Sequence, residues 1–87
     1  MAPALFQALE YCRSEILHGQ TPVAKIIEAG KAKISHAGFS SIDYLEYRNS
    51  ETLEAITTPD RTGRLLVAAR LGKTRLIDNI AVEKDTV

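Results

Sequence analysis

Residues 65–80 read as a β-hairpin, and this constrains the chain more than any other feature. The runs from Leu65 to Leu71 and from Thr74 to Ile80 are rich in apolar residues and separated only by Gly72-Lys73. A two-residue loop with glycine first is the pattern of a type II′ turn. Such a loop fixes the register: Leu71 faces Thr74, Arg70 faces Arg75 and Ala69 faces Leu76. Because strand side chains alternate, Leu65, Val67, Ala69, Leu71, Leu76 and Ile80 share one face, expected to pack against the rest of the domain. Arg64, Leu66, Ala68, Arg70, Arg75, Ile77 and Asn79 share the other. Asp78 falls on the packed face by parity, so it is expected to be hydrogen-bonded near an edge.

Upstream, Pro3 suits the first position of a helix whose apolar residues Leu5, Leu9, Cys12 and Ile16 recur at helical spacing up to about His18-Gly19. Thr21-Pro22 reads as an N-cap followed by proline at the first position of a second helix. Its apolar face is Val23, Ile26, Ile27 and Ile34, and Gly38 is placed to stop it. Gly30, inside that helix, costs about 1 kcal/mol relative to alanine and suggests close packing against a neighbour. A strand from about Ile42 to Arg48 follows, then a capped helical turn at Ser50-Glu51-Thr52-Leu53 and a loop over residues 58–63. The polar tail from Glu83 to Val87 is expected to fray. This order predicts a single α+β domain, with two helices packed on one face of a three-stranded antiparallel sheet.

Composition sets outer limits on function. The 87 residues carry 11 basic and 11 acidic side chains, so global charge gives no argument for nucleic acid or membrane. No apolar run approaches the roughly 20 residues that span a bilayer. The lone Cys12 excludes an internal disulfide framework and fits a reducing, cytoplasmic setting. Charge is nevertheless uneven, because residues 61–75 hold Arg61, Arg64, Arg70, Lys73 and Arg75 without an acid. That segment is either a contact surface for something anionic or a stretch neutralised by distant acids on folding. The facing pair Arg70 and Arg75 needs an anion, open water or an acidic neighbour, and Glu46 on the first strand is the obvious internal partner.

Other motifs carry little chemistry. His36-Ala37-Gly38-Phe39 has phenylalanine where the His-x-Gly-His signature of nucleotidyl-transferring enzymes needs a second histidine. Neither His18 nor His36 has metal-ligand neighbours at useful spacing. Gly72-Lys73-Thr74 lacks the earlier glycine and following helix of a phosphate-binding loop. Tyr44 and Tyr47 point to opposite faces of their strand, a poor platform for stacking single-stranded nucleic acid.

Asp43-Tyr44-Leu45-Glu46-Tyr47, Thr52-Leu53-Glu54 and the run from Leu66 to Asn79 closely resemble the C-terminal domain of the pantothenate synthetase (pantoate–β-alanine ligase) family. The preceding helices, with Ala4-Leu5-Phe6-Gln7-Ala8-Leu9 near the start, resemble it too, so the likeness covers essentially the whole chain. It implies an enzyme that adenylates pantoate with ATP and Mg²⁺, then lets the amine of β-alanine attack the acyl-adenylate to give pantothenate and AMP. It also implies that the nucleotide, substrate and metal residues belong to an N-terminal catalytic domain preceding this chain's first residue. The C-terminal domain would serve as a lid, and these residues alone are expected to have no ligase activity.

From the hairpin register, and not from any family assignment, Arg64, Arg70, Lys73, Arg75 and Asn79 are the candidates for the surface turned towards that active site or the partner domain. Two alternatives stand beside the lid reading. One is a stand-alone interaction or self-associating module using a sheet edge or face; the other is weak nucleic-acid binding through residues 61–75, which would show a steep salt dependence.

Overall fold

The computed structural model describes residues 3–56 and 62–83. Helix α1 spans Pro3–His18 and helix α2 Val23–His36, followed by strands β1 (Ser41–Arg48), β2 (Gly63–Leu71) and β3 (Thr74–Val82). The strands form one antiparallel sheet in the order β1-β2-β3. The α+β expectation holds, with both helices on one face of the sheet: α1 packs on β2 and β3, α2 packs on β1, and the helices touch each other.

The periodicity of α1 becomes burial directly, since Leu5, Ala8, Leu9, Cys12 and Ile16 all lie in the core. They meet Val23, Ile26 and Ile34 of α2 and the inward row Leu45, Tyr47, Leu65, Val67 and Ala69 of the sheet. Each fully buried aliphatic side chain of this kind contributes about 1.5–3 kcal/mol by leaving water. Cys12 is one of these core residues; burial pushes its thiol up to about 11, and its Sγ lies 3.7 Å from the Ile26 carbonyl oxygen. Gly30 supplies the close approach anticipated for it. A Cβ there would stand 2.6 Å from Cys12 Sγ and 2.9 Å from Leu45 Cδ2.

Local details depart from expectation in four places. Pro22, not Thr21, is the N-cap of α2: its ψ of 142° is extended and no side chain caps the helix. Its carbonyl instead receives the first helical bonds, from Lys25 N and Ile26 N. The segment after β1 is a single turn closed by Leu53 N donating to Asn49 O, with Leu53 at φ 63°. Its cap is Asn49, whose Oδ1 accepts from Glu51 N and Thr52 N, and not Ser50. Leu71, assigned to the packed face by parity, is 44% exposed, because it lies at the hairpin tip. Ala68 belongs to the uncovered face yet is fully buried. Its cross-strand neighbours on that face are Tyr44 and Ile77, so a methyl sits between two larger side chains. Most of the loop at residues 58–63, with Arg61, and most of the tail lie outside the described residues.

Candidate functional site: the uncovered face of the sheet

The hairpin forms in the expected register, with Leu71 facing Thr74 and Arg70 facing Arg75. Gly72 has φ 62° while Lys73 does not adopt positive φ, as a type II′ turn requires. The face away from the helices is built in cross-strand rows. Arg48 and Arg64 lie side by side, then Glu46, Leu66 and Asn79, then Tyr44, Ala68 and Ile77, and at the turn end Arg70 and Arg75. The middle is apolar, with Ile77 61% exposed; both ends are charged.

At the turn end the counter-charge is Asp43. Its Oδ2 accepts from Arg75 Nε at 2.7 Å and its Oδ1 lies 3.5 Å from Arg70 Nε. The Arg75 hydrogen bond, and the Arg70 charge after it, hold the Asp43 carboxyl below its ordinary value against the opposing effect of desolvation. This corrects the assignment of Glu46 to the role. Glu46 faces Leu66, four residues along β2 from Arg70, which at about 3.3 Å per residue is out of reach. Glu46 instead binds its own strand neighbour, accepting from Arg48 Nε at 3.1 Å and Nη2 at 3.0 Å. That pairing lowers the Glu46 carboxyl and raises Arg48.

Asp43 reaches the outer face because β1 carries a bulge between Ile42 and Tyr44. Without it, Asp43 would share a face with the buried Leu45 and Tyr47, and Ile42 would point outward. The bulge exchanges the two: Ile42 packs against the core and the carboxylate meets the arginines. The signal in the sequence is an acid at what alternation makes a core position.

Among the other candidates, Arg64 donates from Nη1 to Asn79 Oδ1 at 2.7 Å, so its charge has no carboxylate partner among the described residues. Lys73 is exposed in the turn. Arg48 is the residue that sequence reasoning missed; it faces Arg64 and makes a second opposed arginine pair. Four guanidiniums on this face meet two carboxylates, although the chain as a whole carries equal numbers of acids and bases. Asp78 lies on the helix side as expected, its Oδ1 accepting from Asn79 N at 2.8 Å while Oδ2 is buried without a hydrogen-bond partner among the described residues. The rejected histidine motif also resolves as structure, with Gly38 at φ 103° just beyond α2 and Phe39 in the core.

No group of three or more His, Cys, Asp or Glu among the described residues is placed to hold a metal ion. No helix among them is long and apolar enough to cross a membrane.

The family model for pantoate-beta-alanine ligase matches residues 1–81. The chain belongs to that family. It is 51% identical over 83 residues to the pantothenate synthetase of Rhodopseudomonas palustris, a match covering 94% of this chain and 29% of that protein. The pantothenate synthetase of Acidiphilium cryptum is 44% identical over 81 residues, covering 93% of this chain and 28% of the relative. Among solved structures, pantothenate synthetase from Thermus thermophilus superposes with a TM-score of 0.77 at 33% identity, over 93% of this chain and 29% of that one. The chain thus spans under a third of the length of these pantoate–β-alanine ligase relatives.

Proposed function

We propose that this chain is the C-terminal lid portion of a cytoplasmic, ATP-dependent pantoate–β-alanine ligase, working against an N-terminal catalytic domain. In that reaction the pantoate carboxylate attacks ATP with release of diphosphate. The β-alanine amine then attacks the acyl carbon and AMP leaves, giving pantothenate. The observation that carries the lid role is the sheet face left uncovered by the helices, apolar in its middle and arginine-rich at both ends. A surface of that kind suits docking over a polar, anionic active site. The lid contributes by excluding water from the acyl-adenylate, which hydrolysis would otherwise waste. Mg²⁺, pantoate, β-alanine and the adenosine of ATP are held by the rest of the enzyme.

A chimera tests this reading. The matching 83-residue segment of the Rhodopseudomonas palustris enzyme is replaced by the present sequence, beside a deletion lacking the segment. The chimera is expected to form pantothenate, the folded deletion to lose most of that activity, and the isolated chain to form none. A fully active deletion, or an isolated chain that makes pantothenate, would overturn the proposal.

A further inference from the structure

The geometry points to the hairpin tip as a binding site for a di- or triphosphate chain, made by the terminal amino groups of Arg70 and Arg75 with Lys73 between them in the turn. The inference rests on the lid reading for its place in the enzyme but not for its chemistry. The two-residue loop makes Leu71–Thr74 the closing hydrogen-bonded pair, so Arg70–Arg75 is a non-hydrogen-bonded pair whose Cα atoms approach to about 4.5 Å. In agreement, the Arg70 carbonyl turns the other way and accepts from Ser40 N and Ser40 Oγ.

Two guanidiniums at this spacing repel unless something holds them, and Asp43 does so through the Nε atoms alone. Among the described residues no acceptor reaches the terminal nitrogens of either group. Both side chains remain about half exposed, at 51% and 41%. A single carboxylate against Arg70, Arg75 and Lys73 leaves two positive charges at the tip. The site thus has its side chains oriented from behind and its outward donors unused. Guanidinium forks match the non-bridging oxygens of phosphate, and the surplus charge selects a polyphosphate over a singly charged anion. The outward donors of Arg70, Arg75 and Lys73 are all cationic, so the phosphate chain itself is the ligand.

The experiment titrates this 87-residue chain with inorganic triphosphate at constant low ionic strength, following arginine side-chain Nε–H signals by NMR. Parallel titrations use inorganic diphosphate, ATP, AMP and sulfate. Saturable shifts at Arg70 and Arg75 are expected in the millimolar range, at least about tenfold tighter for triphosphate than for AMP or sulfate. ATP is expected to match inorganic triphosphate within about threefold. R70Q and R75Q should each weaken binding at least about fivefold with backbone spectra intact, while R13Q on α1 leaves it unchanged. Shifts that do not saturate, equal response at Arg13, no preference over sulfate, or a marked preference for ATP would each overturn the assignment. An active chimera whose tip binds no polyphosphate defeats this inference alone; an inactive chimera with the tip still binding defeats the lid reading alone.

Discussion

Gly30 sits inside α2 where an added Cβ would meet Cys12 of α1 and Leu45 of β1, so three elements meet at a position without a side chain. Replacing it by alanine brings two opposed effects. Helix propensity improves by up to about 1 kcal/mol, while overpacking a closed core costs about 1–3 kcal/mol. Overpacking wins, because the contacts at 2.6 and 2.9 Å are with groups that are themselves buried. Gly30→Ala is expected to lower stability by about 1 kcal/mol, or about 4–8 °C in Tm for a domain of this size. Thermal unfolding of the variant provides the check. In a Cys12→Ala background, where the nearer clash is gone, the same change should cost at least about 0.5 kcal/mol less. A stabilised single variant would show that α1 can move aside. The glycine's presence in a helix is visible in the sequence as a local cost; its partners are not, since Cys12 and Leu45 are brought to it only by the packing of two other elements.

At the scale of elements, the β1 bulge decides what the hairpin face presents. The acid response of the tip follows from it. Arg75 and Arg70 hold the Asp43 carboxyl below its ordinary value of 3.8, so the folded state favours the ionised form. This contribution to stability is fully present above pH 3.8 and is lost as the pH falls through the lowered folded value. Asp43→Asn should therefore be less stable than the parent at neutral pH, with the difference shrinking below about pH 4 as the parent carboxylate also protonates. Circular dichroism through an acid titration of both proteins measures this, and a difference that persists unchanged to about pH 2 would remove the ion pairs as its cause. Regular features of the elements are legible beforehand: the period of α1, the hairpin register from Gly72-Lys73 and the opposed Arg70 and Arg75 all follow from spacing. The bulge is not, because one extra residue in β1 reverses the parity of everything before it, and alternation alone places Glu46 where Asp43 acts. The second arginine pair, Arg48 with Arg64, is hidden for a related reason: β1–β2 pairing spans a long connection that no short turn fixes in register.

Across the whole molecule, the helices cover one face of a three-stranded sheet and leave the other open, so the two faces are under different physical constraints. Substitutions on the helix side act on stability. Those on the open side act on whatever covers it. Ile77 separates the two most cleanly, at 61% exposed in the middle row beside the buried Ala68. Ile77→Lys removes little buried area in the isolated chain and is expected to shift its stability by no more than about 0.5 kcal/mol. Within the chimeric ligase, the same lysine would enter the apolar middle of the docking face, where an unpaired charge leaves water at considerable cost. Pantothenate formation should then fall at least about tenfold while the isolated variant melts with the parent chain. Equal activity of the two chimeras would place the docking surface elsewhere, whereas a large loss of stability in the isolated chain would make Ile77 part of the domain's own core.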